Sequence, residues 1–105
     1  MDLKIYWTDF SKNELRKIFS YYKEKASLII ATNLILGIEN KTKVLKSNPK
    51  SGQKEELLKH RKQEFRYLVY KNYKIIYWIN IEENRIEIFD VFDTRQNPVK
   101  MKKVK

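Results

Sequence analysis

Cysteine is absent from the chain, and histidine occurs only once, at His60. Without cysteine there is no disulfide framework and no thiolate nucleophile. A single histidine disfavours a zinc site built from protein ligands alone. The only two glycines, Gly37 and Gly52, lie too far apart for a glycine-rich phosphate loop. We therefore expect neither a metal nor any other cofactor.

Long hydrophobic runs are also missing. No segment approaches the roughly 18 uncharged apolar residues that a membrane-spanning helix needs. The first residues, MDLKIYWTDF, lack the charged start and apolar run of a signal peptide. We expect a soluble cytoplasmic protein without a membrane partner. The 105 residues and an aromatic content of 13% predict one folded domain over residues 1–98, followed by a basic tail over 99–105.

Positive charge is abundant and unevenly distributed. The formal net charge is +10, and residues 41–74 hold eleven Lys and Arg against three acidic residues. Residues 95–105 add five more cations, whereas residues 75–94 are net acidic. Such an asymmetry favours a polyanionic partner, either nucleic acid or an acidic protein segment. The alternative is a basic surface that serves solubility alone.

In the first half of the chain, the spacing of apolar residues changes from every second residue to the spacing of a helix. Leu3, Ile5 and Trp7 alternate with polar or amphipathic residues, which predicts a short strand at one side of a sheet. Apolar residues at helical spacing then predict a first helix over residues 9–25. Thr8 or Ser11 can cap this helix, and Ser11 with Glu14 matches the capping box.

A second helix is predicted from the cap at Ser27 to Asn48-Pro49, where proline ends the α conformation. Its apolar stripe contains Leu28, Ala31, Leu34, Ile35, Ile38 and Leu45. Two antiparallel helices with one continuous apolar side need a partner, and a sheet is the candidate.

That sheet is predicted between Glu64 and Pro98. Three runs rich in β-branched and aromatic residues are separated by polar turns at residues 71–72 and 82–84, as in an antiparallel meander. The expected fold class is α+β, in the order β-α-α-β-β-β. An N-terminal strand precedes an antiparallel helical hairpin, which packs on one face of an antiparallel β-sheet.

Alternation also predicts which face of the sheet meets the helices. The most apolar combination is Phe65, Tyr67, Val69, Ile75, Tyr77, Ile79, Ile86, Ile88 and Phe92. This combination requires an odd, three-residue loop with Asn72 in the left-handed conformation. A loop with an even number of residues would reverse the pairing. Asp90 falls among the apolar positions and needs a partner or an edge position.

The opposite face then gathers the candidate functional residues. It holds the cations Arg66, Lys74 and Arg95, with the aromatic rings of Tyr70, Trp78 and Phe89 between them. Cations that meet phosphates and rings that stack bases suit a nucleic-acid surface. The alternative is that a loop or another chain covers Ile76, Trp78 and Phe89, and we expect both readings to apply at once, because an apolar strip on an open sheet marks an interaction site.

A basic connector precedes the meander and adds candidate binding residues. Leu57 and Leu58 are expected to pin this segment to the core. The candidates for contact with nucleic acid or a protein target are Lys54, Lys59, His60, Arg61, Lys62, Trp78 and Phe89. His60 is a minor candidate for direct chemistry, because an imidazole titrates near neutrality. The alternative is that the basic residues 59–62 form a solvated charged loop without a binding role.

The order of strand, helical hairpin, basic connector and meander resembles the RelE/ParE toxins of type II toxin–antitoxin systems, which include plasmid stabilisation proteins. The resemblance spans nearly the whole chain, and the segments that carry it are VLKSNPKSGQ, FRYLVYKNYKIIYWI and IEIFDVFDTRQNP. The resemblance implies a growth-inhibiting toxin. It also implies a cognate antitoxin that silences the toxin within a toxin–antitoxin hetero-oligomer.

This superfamily contains two mechanisms. RelE-like members cut mRNA in the ribosomal A site, and ParE-like members bind and inhibit DNA gyrase. The resemblance assigns catalytic roles to Arg66, Lys74 and Arg95. However, Leu68 stands where a second basic residue is expected, and the tail VKMKKVK offers no tyrosine or histidine.

These two departures favour a ParE-like toxin that acts by binding a protein. The alternative is a RelE-like, ribosome-dependent and metal-independent mRNA endoribonuclease, so the sequence leaves open whether the chain is an enzyme. A third reading is a non-toxic member that retains antitoxin binding.

Overall fold

The computed structural model describes residues 3–95. The predicted domain end at residue 98 and the basic tail over 99–105 lie outside the described residues. The elements in chain order are β1 (Lys4–Trp7), α1 (Asp9–Lys25), α2 (Leu28–Thr42), β2 (Gln53–Lys54), β3 (Arg66–Tyr70), β4 (Tyr73–Asn80) and β5 (Arg85–Asp93), with 3-10 turns at Lys43–Lys46 and Glu56–Leu58. Between residues 3 and 95, no helix is long and apolar enough to cross a membrane.

Side-chain caps set the start of both helices. The Thr8 hydroxyl accepts a hydrogen bond from the backbone N–H of Ser11 at 3.1 Å, and Ser27 caps α2 through Ile30 in the same way. The predicted bounds of the first helix and the Ser27 cap are confirmed. The capping box is wrong, because Ser11 lies inside the first turn and donates its hydroxyl hydrogen to the Thr8 carbonyl. The second helix is shorter than predicted and continues beyond Thr42 as a 3-10 turn.

The five strands form one sheet in the order β1-β5-β4-β3-β2. The meander of β3, β4 and β5 is antiparallel as predicted, whereas β1 pairs in parallel with β5 at one edge. The two-residue strand β2 was not predicted. The helical hairpin covers one face, and the core between the two layers contains Leu15, Leu34, Ile38, Leu45, Ile75, Tyr77, Ile86, Ile88 and Val91.

The register of β3 differs from the prediction. The loop between β3 and β4 has two residues, and Lys71 rather than Asn72 has a positive φ, of 54°. Tyr70 therefore lies opposite Tyr73, and Leu68 lies opposite Ile75. Because neighbours across a ladder share a face, the predicted helix-facing set on β3 is wrong, and Tyr67 lies on the other side of the sheet.

A β-bulge changes the alternation within β5. Tyr77 lies opposite Ile88 while Ile76 lies opposite Asp90, so Phe89 is the extra residue. Beyond the bulge, Val91 joins the helix-facing core and Phe92 joins the other side, which corrects the predicted placement of Phe92. Asp90 has neither the edge position nor the full set of partners that the sequence called for, because β5 lies inside the sheet, the residue is buried, and its Oδ1 atom has no hydrogen-bond partner among the residues that the structure describes.

A second apolar cluster covers the side of the sheet that faces away from the helices. We call this side the connector face, because residues 55–65 of the connector fold over it. Leu58, Phe65 and Ile76 are buried there, and the partly buried members are Leu57, Tyr67, Trp78, Phe89 and Phe92. The prediction that Leu57 and Leu58 anchor the connector is confirmed.

Candidate functional site

Arg66 begins β3 and is directed toward the loop before β2. Its guanidinium donates hydrogen bonds to the carbonyl oxygens of Gly52 at 2.9 Å and Lys50 at 3.3 Å. It also forms an ion pair with Glu64 at 2.9 Å, and 14% of its side chain is exposed. Most of its donors are therefore used within the chain.

Tyr77 holds the same loop from β4. Its hydroxyl donates to the Pro49 carbonyl at 2.6 Å and accepts from the Gly52 N–H at 3.0 Å. Burial raises the pKa of this phenol, which keeps it in the donating form. Gly52 is required at this point, because a Cβ atom there would lie 2.6 Å from the Tyr67 backbone oxygen and 2.7 Å from the Tyr77 hydroxyl.

Lys74 lies near the start of β4, on the connector face. Its ammonium group donates to the carboxylate of Glu55 at 2.7 Å and lies 4.1 Å from the centre of the Tyr67 ring. The Glu55 side chain is 3% exposed and that of Lys74 is 20% exposed. The positive charge of Lys74 is thus balanced by the buried carboxylate of Glu55. The face of the Tyr67 ring stabilises the ammonium group further.

Arg95 is the last described residue and follows β5. It forms a bidentate ion pair with Asp93, with its Nη2 atom 2.6 Å and its Nε atom about 3 Å from the carboxylate oxygens. This pairing holds the pKa of Asp93 well below its usual range and raises the pKa of Arg95. Arg95 also lines a cavity of about 390 Å³, together with Lys17 and Tyr22 of α1.

The three candidate catalytic cations do not share one face. Arg66 lies opposite Tyr77 in the ladder and so faces the helical side, whereas Lys74, three residues before Tyr77, faces the connector. Arg95 lines a cavity against α1 and is again on the helical side. The prediction of a common face is wrong, because the even loop reversed β3 relative to β4. Their catalytic roles stay a prediction.

The basic connector residues surround a small pocket. Its volume is about 200 Å³, and its lining includes Lys54, Lys59, Arg61 and Lys62 together with Glu55, Glu56 and Glu64. The guanidinium of Arg61 lies 5.5 Å from the centre of the Phe89 ring. His60 is exposed and is not part of this lining. The pocket therefore brings four of the predicted binding cations together.

The predicted aromatic stacking residues serve partly as core. Phe89 packs against Phe65 with ring centres 4.7 Å apart, and Trp78 packs against the same cluster. Tyr70 lies on the helical side, opposite Tyr73. The reading in which a loop covers the apolar strip is confirmed, since the connector is that loop.

Sequence reasoning missed the carboxylates that pair with the cations. Glu55, Glu64 and Asp93 each bind one of the three candidate catalytic side chains. Only the short spacings of Glu64 to Arg66 and of Asp93 to Arg95 were visible in the sequence. Within the described chain, no cluster of three or more histidine, aspartate or glutamate side chains is arranged to hold a metal.

A helical hairpin on one face of a small sheet, with cations at the strand ends and on the connector, is the α+β fold of RelE/ParE-like proteins. The family model described as "ParE toxin of type II toxin-antitoxin system, parDE" matches residues 5–98. The chain belongs to this family of toxins. No curated protein matches it.

Solved structures share the fold at low sequence identity. A structure of the chromosomal ParDE toxin–antitoxin system from P. aeruginosa aligns with a TM-score of 0.72 at 15% identity, covering 89% of this chain and 97% of that one. The toxin–antitoxin complex RelBE2 from Mycobacterium tuberculosis gives 0.57 at 16%, with coverages of 89% and 92%. A free-state mutant of the E. coli toxin RelE gives 0.54 at 16%, with coverages of 96% and 93%.

Proposed function

We propose that this toxin slows growth in the cytoplasm by binding and inhibiting a protein target such as DNA gyrase. The observation that supports this proposal is the pairing of all three candidate catalytic cations. Arg66, Lys74 and Arg95 each contact a carboxylate of their own chain within 3 Å. A nuclease that stabilises a phosphate transition state needs donors preorganised toward one point. Here the cations are divided between two faces.

A RelE-like endoribonuclease is the second candidate. The basic connector supports it, because four cations line one pocket, where they outnumber three glutamates, and cations are suited to the phosphates of mRNA. Arg95 also supports it, since 68% of its side chain is exposed and a ribosomal site could rearrange its bond to Asp93. This candidate requires cleavage to depend on Arg95.

We also propose that a cognate antitoxin binds this chain in a hetero-oligomer. Two of the similar structures contain a toxin–antitoxin system or complex. In this chain, α2 exposes large apolar side chains at Leu28, Ile29, Ile30 and Leu36, each of them at least half exposed. Exposed apolar side chains gathered on one helix suit an interaction site.

Two assays with the purified toxin test the target. We expect inhibition of DNA gyrase supercoiling and no new cleavage in a toeprint of translated mRNA. Cleavage within the A-site codon that disappears in Arg95→Ala, but persists in the exposed-helix control Lys23→Ala, would establish the nuclease instead. If neither assay responds and expression does not slow growth, the chain is a non-toxic member that binds antitoxin.

A further inference from the structure

Glu55 is an acidic residue that the protein buries in its most basic region. The Glu55 N–H donates to the Phe65 carbonyl at 2.8 Å, which fixes the backbone beside β3. One carboxylate oxygen accepts from the Leu57 N–H at 3.1 Å, and the other accepts from Lys74 at 2.7 Å. The carboxylate is therefore held by the backbone on one side and by an ammonium group on the other.

The surroundings of this carboxylate hold more cations than acids. The adjoining pocket is lined by Lys54, Lys59, Arg61 and Lys62 and by the acidic Glu56 and Glu64, and the Lys74 ammonium lies over the Tyr67 ring. Proteins that bind single-stranded nucleic acid combine cations with aromatic rings in this way. In this chain, the negative charge at the centre comes from the protein itself.

We propose that Glu55 determines whether this face binds nucleic acid or protein. Its carboxylate occupies the place beside the Lys74 ammonium group that a phosphate would otherwise take. Its carboxylate excludes the phosphates of nucleic acid from the connector face and leaves that face to a protein partner. The inference rests on the proposed function in taking the target to be a protein, and it adds that this target binds the connector face. Its test measures RNA affinity and does not use toxicity.

Burial makes this exclusion effective. A phosphate that displaced Glu55 from Lys74 would leave a carboxylate buried without a cation, which is strongly unfavourable. Because Glu55 is 4% exposed, salt screens the pair far less than it screens the exposed lysines around it. The exposed cations can still attract a polyanion, but Lys74 contributes no phosphate contact.

The decisive variant is Glu55→Gln, which keeps the shape of the side chain and frees the Lys74 charge. The control is Glu82→Gln, since Glu82 is an exposed residue of the turn between β4 and β5 that does not line this pocket, and its replacement changes the net charge equally. The probe is a fluorescent single-stranded uridine oligonucleotide. We expect Glu55→Gln to bind it at least roughly tenfold more tightly, as for one new charged hydrogen bond, and Glu82→Gln to differ from the wild type by less than about twofold.

Two further results belong to the same prediction. The slope of log affinity against log salt should steepen by about 0.7 in Glu55→Gln, because one more phosphate is contacted. The double variant Glu55→Gln/Lys74→Gln restores the net charge of the wild type and should return to its affinity. Equal affinities of Glu55→Gln and Glu82→Gln would overturn the proposal.

A measurement on the unmodified protein covers the case in which Glu55→Gln does not fold. During titration with the same oligonucleotide, the NMR signals of the lysine ε-methylene groups of Lys59 and Lys62 should shift. That of Lys74 should stay in place, and a shift of comparable size at Lys74 would refute the exclusion. If the gyrase assay fails while these results hold, only the proposed target is wrong.

Discussion

The ammonium group of Lys74 and the carboxylate of Glu55 lie 2.7 Å apart although 19 residues separate them in the chain. This ion pair joins the connector to β4 and is mostly removed from solvent. It gives Lys74 a structural partner at the position where a nuclease would need an available cation.

The first prediction concerns the stability of this pair. Lys74→Met should lower the free energy of unfolding by roughly 2–4 kcal/mol, because it leaves the carboxylate of Glu55 buried without a cation. The double variant Glu55→Gln/Lys74→Met should lose less than Lys74→Met alone. Urea denaturation measures both, with the exposed Lys59→Met as a control within about 0.5 kcal/mol of the wild type. Additive losses in the double variant would contradict the coupling.

The second prediction concerns the loop held by Tyr77. Tyr77→Phe removes a hydroxyl that bonds to both Pro49 and Gly52, so two backbone groups lose their partner. We expect the free energy of unfolding to fall by roughly 1–3 kcal/mol. Tyr67→Phe is the matched control, since that hydroxyl donates to the exposed side chain of Gln53. A thermal melt in which both variants shift equally would show that the loop bonds contribute little.

The third prediction concerns the close approach at Gly52. Gly52→Ala places a methyl group 2.6 Å from the Tyr67 backbone oxygen, and this strand backbone cannot move without disturbing β3. The expected loss of stability is roughly 1–3 kcal/mol. Ser51→Ala, at the exposed neighbouring residue, should be close to neutral in the same denaturation experiment. A neutral Gly52→Ala would mean that the loop can shift away from β3.

The fourth prediction is a pH dependence that arises from Asp90. Burial, with a contribution from the charge of Glu14, raises the pKa of Asp90 from 3.8 to about 7, against the opposing effects of a backbone hydrogen bond from Val91 and of the charge of Lys17. In addition, its Oδ1 atom has no hydrogen-bond partner among residues 3–95. The folded protein therefore binds this proton more tightly than the unfolded chain does.

Since the folded state holds the extra proton, stability from this residue is fully present below pH 3.8 and is lost as the pH rises to about 7. Asp90→Asn should remove this slope and be more stable than the wild type above pH 7, by at most about 4 kcal/mol. Chemical denaturation at a series of pH values measures the difference. Glu82→Gln, at an exposed turn residue, should keep the wild-type slope.

The types and order of the main elements could be predicted because they depend on local patterns. The apolar period of residues 9–25 and the cap at Ser27 are properties of adjacent residues, and the structure confirms both. The alternation of β4 placed Ile75 and Tyr77 correctly against the helices. The family resemblance rested on this order, and the family match confirms it.

The face of β3 could not be predicted from alternation alone. The sequence around Lys71 and Asn72 fits a hairpin loop of either two or three residues. The choice decides which face of the sheet every side chain of β3 occupies. Likewise, nothing local marks Phe89 as the extra residue of a bulge. The prediction of the candidate site failed at this step, since the observed register of β3 places Arg66 and Lys74 on opposite faces of the sheet.

The sequence by itself determined the toxin fold, the excess of positive charge and the identity of the cations, because these depend on composition and on residues near one another in the chain. Only the tertiary structure decided which cations meet and which carboxylates neutralise them. The physical reason is that strand register and ion pairing are set by packing between distant segments, such as Glu55 against Lys74, and no local pattern specifies such contacts.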